Sequence, residues 1–148
     1  MNSENKIKHL EMIQNLINRM ASNSFMLKSW AITIAAGVFA LASEDTYKLL
    51  FLLVPTIMFW CMDSYYLLQE REYRILYNKV RQLKEQEIDF NLDITSGKVN
   101  KNKKYLSSLF SKTEVGFYGI LFIILCIIVI LSHCFECISA YVNIKKYL

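Results

Sequence analysis

Apolar positions along this chain follow two rhythms. At three places they form unbroken blocks; elsewhere they recur every three or four residues. The longest block, Val115 to Ser132, reads VGFYGILFIILCIIVILS, lies between Glu114 and His133, and carries no charge. A helix that crosses a bilayer needs roughly 17–25 mostly apolar residues, and this block supplies them. A second block, Phe25 to Ser43, has one Lys near its start, and a third, Leu49 to Met62, reaches a full span if Tyr47-Lys48 and 63–66 sit at the interfaces. Long basic side chains reach the headgroups from such positions. The pattern predicts an all-α integral membrane protein with three transmembrane helices.

The periodic stretches predict helices outside the bilayer. Ile7, Leu10, Ile13, Ile17 and Met20 recur at three and four, so residues 3–24 read as an amphipathic helix that packs on protein or lies on the membrane surface. From Asp63 to Ile88 there is no Gly or Pro, and Leu68, Leu76, Val80 and Leu83 make one stripe, widened by Tyr65, Tyr73 and Tyr77. Glu70–Arg74 and Arg81–Glu85 are spaced as i,i+4 ion pairs. The second span is therefore expected to continue as one long cytoplasmic helix. Ile88, Phe90, Leu92 and Ile94 then alternate with Asp89, Asn91 and Asp93, a period of two that predicts a short strand or extended edge. Ser96-Gly97 reads as a turn, Lys98–Lys104 as a mobile basic loop, and Tyr105–Ser111 as a short interfacial helix.

These elements give a cytoplasmic amphipathic helix (1–24), a first span (25–43), a short external loop (44–48) and a second span prolonged into the cytoplasm (49–88). A basic cytoplasmic loop (89–113) and a third span with its tail (114–148) complete the chain. Composition agrees: of 148 residues 54% are hydrophobic, with one Pro and four Gly, and mean hydropathy is +0.26. Such low Gly and Pro exclude collagen-like and turn-rich all-β architectures.

Charge sets the orientation. Between Ser64 and Thr113 lie Arg71, Arg74, Lys79, Arg81, Lys84, Lys98, Lys101, Lys103, Lys104 and Lys112, whereas the 44–46 loop carries two acids. By the excess of Lys and Arg on cytoplasmic segments, the N-terminus and the long connection are cytoplasmic and the 44–46 loop external. The charge pattern thus predicts a multi-pass membrane protein with its N-terminus in the cytoplasm.

Candidate chemistry is sparse. His9 and His133 are expected on opposite sides of the membrane, and the chain carries no Gly-rich phosphate loop, HExxH or Ser/His/Asp arrangement. An enzyme is not expected, nor a cofactor or catalytic residue. Asp89-x-Asn91-x-Asp93 opens like a calcium loop, but Ile94 stands where the sharp turn needs Gly and Asn100 where the bidentate Glu belongs. Cys61 and Cys126 read as apolar packers inside spans. Cys134 and Cys137, an i,i+3 pair at the external end, are open to three readings: free thiols, a disulfide, or, with His133, a metal site.

Three sets of residues stand out in or beside the membrane. Pro55 removes a backbone bond from the second span and is expected to kink it, and Asp63, where that helix leaves the bilayer, is either an ordinary interfacial acid or a charge facing a pore or a partner helix; Pro55 and Asp63 are the candidate pore or gating residues. Ala31 and Ala35, Ala36 and Ala40, with Gly37 beside them, form the small-xxx-small pattern of close helix packing, within the chain or between copies. Lys98, Lys101, Lys103 and Lys104 suit a ligand or anionic lipid, each basic residue gaining about 1 kcal/mol from a charged leaflet.

The stretches ENKIKHLEMIQNLINRMASNSFMLKSW, FWCMDSYYLLQEREYRILYNKVR and FSKTEVGFYG, in this order, resemble the small helical membrane effectors of bacterial antiphage systems, the SLATT-like family. The third span departs from the two typical of that family. The resemblance implies an effector that multimerises in the inner membrane when a signal or partner engages its cytoplasmic part, and then perturbs the membrane. Expected partners are the lipid bilayer, a homo-oligomer, and either a soluble protein or a nucleotide signal; nucleic acid is not expected. The rival reading is a non-channel anchor or accessory subunit for a soluble enzyme, and a small transporter subunit ranks last.

Overall fold

The computed structural model describes residues 4–41, 52–94 and 101–147; for 41, 101, 132, 136, 137 and 139–147 it describes the backbone alone. The predicted external loop, Lys48, Ser96-Gly97 and Lys98 lie outside the described residues. The described chain is all-helical: α1 (Glu4–Leu41), α2 (Leu53–Gln82), α3 (Lys101–Leu109) and α4 (Lys112–Tyr147), with a 3-10 turn at Glu85–Glu87.

The amphipathic helix and the first apolar block are one body. No Pro interrupts Glu4–Leu41, and its one glycine, Gly37, lies near the end, so backbone bonding runs on through the change from amphipathic to apolar sequence. The apolar stripe of residues 4–24 packs on protein: Ile13, Ile17 and Val80 are buried together, with Leu10, Tyr73, Leu76 and Tyr77 against them. Of the two readings of this helix, packing against protein, here the C-terminal half of α2, is the one observed.

Helix α2 ends at Gln82, six residues short of the expected Ile88. Leu83 turns extended (ψ 153°), and the Lys84 backbone N–H donates to Glu87 Oε2 at 2.9 Å, closing a separate 3-10 turn. Arg81 and Glu85 are thus not on one helix, and Glu85 does other work: it accepts the backbone N–H groups of Asn5 (3.0 Å) and Lys6 (3.2 Å). In return Lys6 Nζ donates to the Leu83 carbonyl at 2.7 Å. Each helix end thereby satisfies orphan groups of the other, with an acid at an N-terminus and a base at a C-terminus. The Glu70–Arg74 pair forms as spaced, at 2.8 Å.

No strand follows among the described residues. Asn91 N–H donates to Asp89 Oδ1 (3.0 Å) and Asp93 N–H to Asn91 Oδ1 (2.8 Å), two successive turns in which side chains take the hydrogen bonds a ladder would use. Phe90 has φ 53°, which a strand cannot accommodate. Ile88 and Leu92, four apart, both join the core around Ile13. Lys101–Lys104 open α3 rather than forming a loop, so the basic segment 89–113 holds a helix of nine residues.

Pro55 does not kink α2. It is the third residue of the helix as described, in the first turn, where backbone N–H groups lack intrahelical partners in any case.

One helix is long and apolar enough to cross a membrane among the described residues: Lys112–Phe135, 24 residues, within α4. The apolar stretches of α1 and α2 run into the undescribed segment 42–51. Near that end, Leu52, at the start of α2, and Leu125 of α4 are buried together, with Ile34 and Val38 of α1 packed against them.

Candidate functional site

Each apolar stretch carries one charged side chain at one end, and the fold brings the three together. Lys28 stands near the start of the stretch in α1, Asp63 at the end of that in α2, and Glu114 at the start of that in α4. Lys28 Nζ pairs with Asp63 Oδ2 and, at 2.9 Å, with Glu114 Oε1, and donates to Ser24 Oγ at 3.1 Å. The three donors of the ammonium are thereby used. Its Nζ also lies 5.8 Å from the centre of the Phe117 ring. Tyr118, fully buried, donates its hydroxyl to Asp63 Oδ2 at 3.2 Å. The Asp63 and Glu114 side chains are 0% and 1% exposed, that of Lys28 21%.

Local sequence places these groups. Ser111 precedes and caps α4: its carbonyl accepts the Val115 N–H at 2.9 Å and its hydroxyl the Glu114 N–H at 3.4 Å. Ser111-Lys-Thr-Glu114 ahead of an apolar run is the spacing of a capping box, but the Glu114 carboxyl turns to Lys28 instead of back to the cap. Ser64, buried beside Asp63, donates to the Trp60 carbonyl one turn earlier, at 2.8 Å, and so brings no unsatisfied hydroxyl into the cluster.

An aromatic collar surrounds this level. Trp60 stacks on Tyr118 with ring centres 6.1 Å apart and meets Phe110 and Phe122 edge-on, while its indole N–H donates to the Leu109 carbonyl at 3.1 Å. Tyr105 donates to the Cys61 carbonyl at 2.9 Å, which ties α3 across α2. Arg71 reaches the buried Ser108 hydroxyl at 3.4 Å, and Lys104 pairs with Glu72 at 2.8 Å.

The sequence pointed to Asp63; Lys28, Glu114 and Tyr118 escaped it, although a single charge at the same end of each of three apolar blocks was a readable signal. Pro55 lies about two turns from Asp63 and takes no part in the cluster. The small residues divide. Ala31 is buried and Ala35 half-buried, while Ala36, Gly37 and Ala40 are exposed or nearly so, and the predicted packing face is used inside the chain chiefly at its first pair. A Cβ added at Gly37 would meet nothing within 4 Å. Of the four lysines, Lys103 is exposed and Lys104 is held by Glu72; Lys98 and the side chain of Lys101 lie outside the described residues.

Cys61 and Cys126 are not core packers, for both point outward and are exposed on their helices. Cys134 is likewise an exposed thiol, and the side chain of Cys137 is outside the described residues. Among the described residues no group of three or more His, Cys, Asp or Glu is placed to hold a metal ion.

Near the start of α1, His9 is fully buried, its Nε2 3.2 Å from the Asn91 carbonyl and its ring 5.4 Å from that of Phe90. A groove of about 230 Å³ lies between α2, the 89–94 segment and α3, bordered by Glu72, Lys79, Asp89, Asn91 and Lys104. No protein-family model, curated protein or solved structure matches this chain.

Proposed function

We propose that this chain is a three-span effector of the bacterial inner membrane, oligomeric when active, that perturbs or permeabilises that membrane in an antiphage defence module. The carrying observation is an apolar surface shared by three helices. On the far side of the Lys28–Asp63–Glu114 level, Ile32 and Phe39 of α1, Val54, Ile57 and Met58 of α2, and Ile120, Ile123, Ile127 and Ile130 of α4 are all roughly half exposed or more. Large aliphatic groups facing outward on every helix suit a hydrocarbon solvent, where a water-soluble bundle would turn them inward.

Register supports the same reading. From Asp63 back to Leu52 and from Glu114 on to Leu125 are eleven residues each, about 16 Å of helix, and Leu52 and Leu125 meet. Antiparallel neighbours that share a charged layer at one end and an apolar layer at the other are arranged as spans entering from one side. Trp30, Trp60, Tyr65 and Tyr66 lie close in sequence to Lys28 and Asp63, as aromatic residues do at a membrane interface. With the basic segments on that side, it is the cytoplasmic one. The outward Ala36–Gly37–Ala40 strip offers the close approach that an oligomer of spans needs, and the resemblance to SLATT-like effectors supplies the expectation of triggered permeabilisation.

The test is expression, alone and with the genomic neighbours, in cells carrying a potential-sensitive dye. Depolarisation that tracks the amount of membrane-inserted protein supports the effector reading. Stable monomers in nanodiscs and no depolarisation under either condition would favour a non-channel anchor for a soluble partner.

A further inference from the structure

The charges in the buried cluster do not balance. Two carboxyl groups, both essentially without exposure, face one ammonium. Lys28 has spent its three donors on Asp63, Glu114 and Ser24, and Tyr118 has given its one donor to Asp63. Asp63 Oδ1 and Glu114 Oε2 are left buried with no hydrogen-bond partner. If both carboxyls were ionised, the cluster would carry one uncompensated negative charge on oxygens that nothing solvates. An isolated buried charge of that kind is expelled by neutralisation rather than tolerated.

We infer that the Lys28–Asp63–Glu114 cluster is a proton-binding site, holding one proton on the Glu114 carboxyl at neutral pH and electrically neutral when it does. A proton is the ligand that fits: it needs no space of its own between the packed helices, and one positive charge closes the count. The choice of Glu114 follows from the donors. Asp63 Oδ2 accepts from both Lys28 and Tyr118, which stabilises its ionised form, whereas the Glu114 carboxyl accepts from Lys28 alone.

The titratable and charged groups facing the site are Lys28 from α1, Asp63 from α2, and Glu114 and Tyr118 from α4. Helix α3, packed on α2, sends no charged side chain into it among the described contacts. The partial exposure of Lys28 gives the proton a route to water.

The inference rests on burial and charge count, not on permeabilisation, so the two fail separately. Infrared spectroscopy of the full chain in nanodiscs reads it directly through the carbonyl stretch of a protonated carboxyl group at neutral pH. Substitution of each cluster acid in turn assigns the band among the carboxyl groups of the chain. Wild-type protein is expected to show one such band, and Glu114→Gln to lose it. Asp63→Asn is the sharper variant: Glu114 is retained, but one carboxylate now matches one ammonium, so the band should also vanish. Absence of the band in wild-type protein overturns the proposal, as does a band that survives Asp63→Asn. Thermal stability that depends on sodium rather than choline, with no band, would assign the missing charge to a metal cation and equally overturn it. A wild-type band without membrane depolarisation would keep the proton site and remove the effector reading.

Discussion

Glu85 accepts the backbone N–H of Asn5 at 3.0 Å, across eighty residues of sequence. A carboxylate at the first turn of α1 satisfies orphan donors and opposes the helix dipole, worth about 1 kcal/mol in all. Glu85→Ala should therefore speed amide exchange at Asn5 and Lys6 while leaving the middle of α1 protected. Unchanged exchange at those two amides would mean the cap contributes nothing.

The pairing of α1 and α2 around Ile13 rests on a small core, which makes it sensitive. Ile13 is fully buried, whereas Ile7 on the same helix is half exposed. Ile13→Ala should cost about 2–4 kcal/mol and Ile7→Ala less than about 1 kcal/mol. Limited proteolysis of α1 in membranes reads the difference, and equal sensitivity of the two variants would count against this packing.

Removing Lys28 alone should be worse than removing the whole cluster. Lys28→Met leaves two buried carboxyls without their cation, an effect of about 3–5 kcal/mol. Combining it with Asp63→Asn and Glu114→Gln removes the charges together and should recover much of that loss. Thermal unfolding in detergent compares them; a triple variant no more stable than Lys28→Met would show that shape, not charge, dominates.

The two alanine positions in α1 should separate folding from assembly. Ala31, 3% exposed, has no space for a larger group, and Ala31→Leu should destabilise the chain by about 1–3 kcal/mol. Ala36 points outward, so Ala36→Leu should leave the unfolding temperature unchanged and reduce oligomer size on a sizing column. Oligomers unaltered by Ala36→Leu would exclude that strip as the contact.

Topology is tested by reporter fusions. A fusion at Asn102, within the basic segment, should report cytoplasmic and one at Asp45 external. A cytoplasmic signal at Asp45 would remove the three-span arrangement.

Helices were legible wherever period and length were strong: the α1 stripe through Leu10, Ile13 and Ile17, the α2 stripe through Leu76 and Val80, and the uncharged run of α4. The C-terminal end of α2 and the 89–94 segment were not. There alternation of Ile88, Phe90, Leu92 and Ile94 mimicked a strand, but a strand needs a neighbour, and side-chain oxygens of Asp89 and Asn91 claimed the backbone donors first. The cluster was half legible. Asp63 drew notice as an acid at a boundary, whereas Lys28 looked like an edge residue reaching for headgroups and Glu114 like a stop to the apolar run. Their meeting depends on the relative register of three helices, which no local pattern encodes.

The unbroken passage of α1 and α2 through the charged layer makes them two-armed beams clamped near the middle. From Val80 to Asp63 the arm is about 26 Å of helix, and from Asp63 to Leu52 about 16 Å. If the clamp at Lys28, Asp63 and Glu114 acts as a fulcrum, a sideways push at the Val80 end arrives at Leu52 in the opposite direction and reduced by about a third. The loss in travel is matched by a gain in force, delivered to the contact with Leu125 deep among the apolar side chains.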